Sequence, residues 1–253
     1  MKTHNKSFIL SAGLAIFSML FGAGNVIYPL VAGALSQDKY IFTTLGFLIS
    51  SVVFGFLGTL SIMLFEGDFS KFFAKLGKMP GFILTLFIMC LIGPFGAMPR
   101  IVCVAYGSIT NIFPQTHLIY FSIGTCLLTF FFCIKRKRIL DVLGYVLTPI
   151  LLVSLLSIII VGLFKTSHLP TSDYTYSKAI STGFNQGNQT MDLFGALCFS
   201  SMVYNIFKAR ISLKENENKK ILSYAITSAF IGLILLAIIY RCFIKLIAFY
   251  GSS

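Results

Sequence analysis

Charged residues are scarce in this sequence, and their scarcity excludes a soluble domain. They make up 11% of the 253 residues, against 57% hydrophobic residues, whereas a soluble domain carries roughly 25% charged residues. The three histidines lie outside the apolar runs, and the six cysteines form no C-x-x-C pair. No nucleophile–base pair, metal cluster or disulfide framework is therefore indicated. The composition predicts an all-α integral membrane protein and not an enzyme.

About seven apolar runs predict the membrane spans. We expect spans at about 8–35, 42–65, 82–106, 118–134, 142–164, 184–207 and 221–240. A polar loop precedes the sixth span, and we expect the tail after residue 240 to lie at the membrane interface. The sixth span needs the polar residues 184–192 to reach the ~20 residues that cross a bilayer.

The basic residues give the bundle a direction. There are 20 of them against 8 acidic residues, but nearly all lie in short segments between spans, which does not favour nucleic-acid binding. Fourteen fall on the side of the N-terminus and five on the other side, and Arg100 lies inside the third span. Because cytoplasmic loops carry the excess of Lys and Arg, we expect a cytoplasmic N-terminus.

The first span contains a cluster of residues that disturb helices, Gly22, Gly24, Asn25 and Pro29. Gly adds backbone freedom and Pro removes a backbone donor, and in lipid each freed backbone group needs a partner inside the protein. One interpretation is a break that lines a binding site, and the other is a kinked helix packed closely through its glycines. The sixth span is also interrupted, and paired interruptions in two halves are typical of secondary-transporter sites.

Two ionisable residues fall inside predicted spans, where a charge at the bilayer centre costs ~3 kcal/mol. Asp192 lies about eight residues into the sixth span, or roughly 12 Å, a depth that favours a functional site. Arg100 lies roughly 27 Å along the third span, close to the outer surface, as an outer gate or an interfacial anchor. Half-helix ends attract a carboxylate and an ammonium or sodium ion, so the pattern favours a zwitterionic substrate.

The sequence resembles the branched-chain amino acid:cation symporter family of bacteria in four motifs. They are Phe21-Gly22-Ala23-Gly24-Asn25 with Pro29, Gly67-Asp68-Phe69, Ile92-Gly93-Pro94-Phe95 with Pro99-Arg100, and Thr190-Met191-Asp192. The resemblance implies a five-plus-five inverted-repeat (LeuT-like) topology with broken helices 1 and 6. It also implies import of leucine, isoleucine and valine across the bacterial cytoplasmic membrane by symport with Na⁺ or H⁺. No cofactor beyond that coupling ion and no nucleic acid is implied, and lipid surrounds the protein.

The resemblance also implies roles for individual residues. Residues 1–164 would form the first repeat, 165–183 an external loop, and 184–253 the start of an incomplete second repeat. Asn25 and Thr190 would bind the cation. The substrate pocket would be lined by Gly22, Ala23, Gly24, Asp192, Phe194 and Gly195.

The number of spans departs from the family pattern, because a complete five-plus-five core needs ten and the chain has about seven. Three interpretations follow: a truncated copy without transport activity of its own, one piece of a split carrier completed by a second chain, or an oligomeric unit. We expect the first, because a lone first repeat plus two helices would leave unwound segments facing lipid. A seven-helix receptor is a weaker alternative, since its N-terminus would lie outside.

Overall fold

The computed structural model describes residues 2–134, 148–164, 169–211 and 218–250, and every regular element in these ranges is helical. This confirms the all-α prediction. The α-helices are α1 Lys2–Leu20, α2 Gly24–Ser36, α3 Tyr40–Leu48, α4 Phe54–Leu64, α5 Phe69–Ala74, α6 Lys78–Cys90, α7 Ala97–Thr110, α8 Leu118–Cys133, α9 Thr148–Phe164, α10 Tyr176–Gln189, α11 Asp192–Ile211 and α12 Asn218–Tyr250.

Four helical stretches are long and apolar enough to cross a membrane: Gly24–Leu64, Lys78–Thr110, Tyr176–Lys208 and Ile221–Tyr250. Shorter apolar helices add Ile9–Leu20, Leu118–Phe131 and Pro149–Gly162. The chain is therefore a multi-pass membrane protein. The beginning of the predicted fifth span, residues 142–147, lies outside the described residues.

The predicted interruption of the first span is present, and the third span is interrupted as well. In the first span, residues 21–23 separate α1 from α2, and Pro29 lies buried inside α2 without ending it. In the third span, Gly93 has non-helical angles (φ −83°, ψ −115°) within the π-helical turn Leu91–Phe95. A second π-helical turn, Ile49–Val53, joins α3 to α4.

Two boundaries differ from the sequence-based expectation. The polar loop predicted for 165–183 is helical from Tyr176 onward, because small residues on α10 pack directly on α3. The tail predicted to lie at the interface is part of α12, which continues without a break to Tyr250. Arg241 and Lys245 are exposed while Phe243 and Ile244 are buried, so the two charges mark one face of a long helix and not its end.

The central helices form two parallel pairs. A Cβ placed on Gly13 of α1 would meet Ile231 of α12, and one on Gly33 of α2 would meet Ile244 further along α12. The first and seventh spans therefore run side by side in the same direction. The second span likewise runs parallel to the sixth. A Cβ added at Gly46 would contact Ile180, one at Gly58 would contact Leu193, and one at Gly67 would contact Tyr204.

The pair α3–α10 approaches closely through small residues. Ala179 and Gly183 of α10 are buried, and so is Gly187 one turn further on. A Cβ on Gly183 would lie 2.0 Å from the backbone oxygen of Thr43, and one on Gly46 would lie 2.1 Å from that of Ile180. This spacing of small residues allows two membrane helices to pack backbone against backbone.

The main core lies between these two pairs, and α6 to α8 lie at its edge. Its largest fully buried side chains include Phe17, Phe47, Phe207, Tyr240 and Phe243. A smaller cluster of Ile62, Phe73, Ile88 and Leu197 packs α5 and α6 against α4 and α11.

We expect Gly183→Ala to destabilise the fold, because the added methyl group would collide with the α3 backbone. Overpacking of this kind costs about 1–3 kcal/mol, and thermal unfolding of the purified protein in detergent measures the loss. Gly124→Ala is the matched control, because a Cβ at Gly124 meets nothing within 4 Å. Equal melting temperatures for the two variants would contradict the close α3–α10 packing.

Candidate functional site

The break in the first span is held open by the side chain of Asn25. The last bond of α1 joins the Phe21 N–H to the Phe17 carbonyl at 2.9 Å. The next free donor, the Gly22 N–H, is taken by Oδ1 of Asn25 at 3.2 Å. Asn25 is 2% exposed, so its amide oxygen satisfies a backbone group that lipid could not.

The break in the sixth span lies between Gln189, the last residue of α10, and Asp192, the first of α11. Met191 has a φ of 61°, which is an uncommon conformation for a residue other than glycine and is concentrated at functional sites. The Thr190 hydroxyl donates to the Gly187 carbonyl at 2.6 Å. The acidic Asp192 lies in the first turn of α11, the end where the helix dipole stabilises negative charge.

The two breaks meet at one buried cluster of Asn25, Asp192 and Tyr240. Nδ2 of Asn25 donates to Oδ1 of Asp192 at 2.7 Å, and the Tyr240 hydroxyl donates to Oδ2 of the same carboxyl at 2.6 Å. Nδ2 of Asn25 also donates to the Tyr240 hydroxyl oxygen. Asp192 is 3% exposed and Tyr240 is fully buried. The Asn25–Asp192–Tyr240 cluster therefore joins the first, sixth and seventh spans.

No cationic side chain balances Asp192 among the residues that the structure describes. The two ion pairs there, Lys39 with Asp38 and Lys71 with Asp68, lie in the loops between spans. Ser51, in the π-helical turn of the second span, is fully buried close to Asp192 and Tyr240.

Arg100 lies beside both breaks, and its role as an outer gate or an interfacial anchor stays a prediction. Its Nη1 donates to the Gln189 carbonyl at 2.7 Å, and its guanidinium lies 5.5 Å from the centre of the Tyr28 ring. A Cβ on Gly24 would lie 3.0 Å from the guanidinium carbon. Arg100 therefore satisfies the carbonyl at the end of α10 and contacts the first span, so it links both breaks.

One known family accounts for the chain. The family described as branched-chain amino acid transport protein matches residues 5–251. The chain belongs to this family. The match confirms the resemblance that the motifs indicate, and the family consists of transport proteins and not of enzymes. Within the described residues, no group of three or more His, Cys, Asp and Glu side chains could hold a metal ion.

Curated relatives share its sequence at modest identity. The branched-chain amino acid permease BrnQ of Corynebacterium glutamicum is 30% identical over 93% of this chain and 54% of its own length. The permease BrnQ of Haemophilus influenzae is 30% identical over 92% of this chain and 54% of its length, and that of Bacillus subtilis is 28% identical over 100% and 58%. The chain thus spans little more than half the length of these relatives. No solved structure matches it.

The second family motif, Gly67-Asp68-Phe69, forms a turn that is attached to the sixth span. Gly67 has a φ of 73° and faces the Tyr204 ring, and the Ser201 hydroxyl donates to its carbonyl. Asp68 caps α5 by accepting the Lys71 N–H at 2.9 Å. That backbone hydrogen bond lowers the pKa of Asp68 below its ordinary value. The motif therefore forms the turn after the second span, caps α5 and attaches the turn to the sixth span.

The structure brings most of the predicted site residues together. Gly22, Ala23, Gly24 and Asn25 lie at the first break, and Thr190 and Asp192 at the second. Gly195 faces Leu20. Phe194 packs in the smaller apolar cluster with α5 and α6, away from the breaks. The roles in substrate and cation binding stay predictions.

Tyr240 is the member of the cluster that the sequence does not reveal. It stands between Ile239 and Arg241, where the apolar run gives way to charge, and tyrosines at such positions are typical of membrane interfaces. The predicted span ends at residue 240, whereas α12 continues to Tyr250. Tyr240 therefore lies within the helix and not at its end. A helical periodicity followed through Arg241 and Lys245 would have indicated this position.

We expect Arg100→Lys to lower the melting temperature. A lysine cannot both stack its charge on Tyr28 and reach the Gln189 carbonyl, since it lacks the planar guanidinium fork. A loss of about 1 kcal/mol corresponds to roughly 2–4 °C for a chain of this size. Lys178→Arg is the control, because Lys178 is exposed and lies 4.1 Å from the Tyr174 ring. If both variants melt like the wild type, Arg100 does not link the breaks.

Proposed function

We propose that this chain carries the substrate and coupling-ion site of a secondary transporter for branched-chain amino acids. The transporter would import leucine, isoleucine and valine across the bacterial cytoplasmic membrane by symport with Na⁺ or H⁺, with its N-terminus in the cytoplasm. The observation that supports this most directly is the meeting of two broken spans at a buried carboxylate. Broken helices facing each other at the midplane are the usual site of substrate and ion in such carriers.

The geometry of the breaks suits an amino-acid substrate. The N-terminal end of α2 presents backbone N–H groups next to Gly22, Ala23 and Gly24, where a carboxylate would be stabilised. Arg100 adds a guanidinium beside Gly24, and a substrate carboxylate could pair with it. Asp192 offers an acceptor for an ammonium group or a cation. Thr190 adds a hydroxyl oxygen on the same side.

The parallel helix pairs support the inverted-repeat topology. If the sixth and seventh spans repeat the first and second in inverted orientation, the contact between spans one and seven must recur between spans six and two. Both contacts are present, and in both the two helices run parallel. We therefore include the five-plus-five topology in the proposal. The relatives are longer, so a carrier built like them includes further helices, supplied by the same protein or by a second chain or copy.

Uptake measurements test this proposal. The chain is reconstituted in lipid vesicles, and uptake of radiolabelled leucine is followed with an inward sodium gradient, with an inward proton gradient and with neither. With a second copy of the chain supplying the further helices, we expect uptake in at least one gradient and competition by isoleucine and valine but not by lysine. No uptake in any condition by correctly inserted protein would favour the alternative, a fragment without transport activity of its own.

Variants of the breaks locate the site. Asp192→Asn and Asn25→Ala each remove a buried hydrogen-bonding group, and hydrogen bonds to charged groups contribute about 1.5–3 kcal/mol. We therefore expect leucine uptake to fall by roughly tenfold or more. Asp173→Asn and Asn111→Ala are the matched controls, since both residues are exposed in loops. Wild-type uptake by both site variants, with unchanged ion dependence, would show that the site lies elsewhere.

A further inference from the structure

We propose that Asp192 carries a coupling proton and that Tyr240 and Asn25 form the proton-binding site around it. This inference rests on the proposed function and makes it more specific, because it chooses the proton over sodium at this position. It also adds Tyr240, on the seventh span, to the residues of the site. The observations that support it are the missing cationic side chain, the direction of the hydrogen bonds and the buried Ser51 hydroxyl beside them.

The first step concerns charge. Asp192 is 3% exposed, and its two oxygens accept from an amide and a phenol, both of which are neutral. An ionised carboxylate buried without an opposite charge is strongly disfavoured. Uptake of a positive charge at this site would remove that cost. A proton or a metal cation could supply it.

The second step distinguishes the two. Oδ1 of Asn25 accepts the Gly22 N–H, so the amide turns its nitrogen, a donor, toward Asp192. A sodium ion is held by oxygen ligands and would have to lie between them. Asn25, Asp192 and Tyr240 are instead in direct hydrogen-bond contact, at 2.7 Å and 2.6 Å from the carboxyl oxygens. A proton fits this cluster without separating its members, whereas sodium would need to push them apart.

The third step concerns where the hydrogen bonds go when Asp192 binds the proton. The proton is added to Oδ2, and the new O–H donates to the Tyr240 hydroxyl oxygen. The Tyr240 O–H, which donated to Oδ2 before, must then rotate to another acceptor. The fully buried Ser51 hydroxyl faces both groups and offers such an acceptor. No covalent bond other than the new O–H changes, and the protein gains one proton.

Few other charged or titratable groups face Asp192. On α12 the titratable group is Tyr240 itself, and the neighbouring hydroxyls are those of Ser51 in the second span and Thr190 in the break before α11. On α2, Tyr28 faces Arg100. Arg100, on α7, directs its guanidinium to the Gln189 carbonyl and not to Asp192. A pH-dependent change in this region would therefore report on Asp192.

Infrared difference spectroscopy on the purified chain in lipid vesicles tests the proposal without requiring transport. A step from alkaline to acid pH should produce the carbonyl band of a protonated carboxylic acid. We expect Asp192→Asn to abolish this band and Asp192→Glu to displace it. Sodium added at constant pH should leave it unchanged. Absence of an Asp192-dependent band, or its removal by sodium as by base, would overturn the proposal.

Tyr240→Phe tests the positioning role of Tyr240. The phenol hydrogen bond to a carboxylate is charge-assisted and stabilises the ionised form, so its loss should let the proton bind more tightly. We expect the midpoint of the band's titration to rise by about one pH unit, a tenfold change. Tyr250→Phe is the control: its hydroxyl, on the same helix, donates to the Gly162 carbonyl at 3.1 Å and is remote from the cluster. Equal midpoints in wild type and Tyr240→Phe would overturn the role of Tyr240.

The infrared and uptake experiments test the proton site and the transport function separately. If the Asp192 band appears but no gradient drives leucine uptake, the proton site stands and the proposed transport function fails. If a sodium gradient drives uptake while no Asp192-dependent band appears at any pH, the transport function stands and the proton site fails.

Discussion

A helix that breaks inside a membrane leaves backbone groups that lipid cannot satisfy, and the rest of this site depends on how that constraint is met. Three backbone groups at the breaks find side-chain partners, two of them three residues away in the same span and one on the third span. Asn25 accepts the Gly22 N–H, Thr190 donates to the Gly187 carbonyl, and Arg100 donates to the Gln189 carbonyl. The residues that make the breaks possible are therefore the same residues that surround Asp192 or lie next to it.

This double use explains the orientation of the polar groups. Asn25 has one donor and one acceptor end, and the backbone of the first break takes the acceptor end. Because the Gly22 N–H fixes the orientation of the amide, the Nδ2 donor of Asn25 points at Asp192. Arg100 is fixed in the same way: because it caps α10, its charge stays beside Gly24 and away from the carboxylate of Asp192. The break geometry thus separates the positive and negative charges of the site.

Local features of the sequence predict part of this arrangement. The glycines around Asn25 and the polar stretch before Asp192 mark the two breaks, because both are unusual inside apolar runs. The contacts of Tyr240 and Arg100 are not predicted by local patterns. Tyr240 meets residues 48 and 215 positions away in the chain, and no local pattern encodes such contacts. Arg100 meets Gln189, 89 positions away, after the chain has changed direction at Gly93. The helical conformation of residues 176–183 depends on packing against α3, which a polar composition conceals.

The Asn25–Asp192–Tyr240 cluster lies between the two helix pairs, so proton binding at Asp192 would affect how the pairs contact each other. Asn25 and Tyr240 belong to the pair formed by spans one and seven, whereas Asp192 and Ser51 belong to the pair formed by spans six and two. The hydrogen bonds to Asp192 are therefore polar contacts between the two pairs and lie within the apolar core that the pairs share, while small residues hold each pair together internally. Under the proposed function, a change of charge at Asp192 would act on the contact between the pairs. Rigid movement of one bundle against another around a fixed site is how alternating access is achieved in secondary transporters. A proton bound at Asp192 would thus act where such a movement would occur.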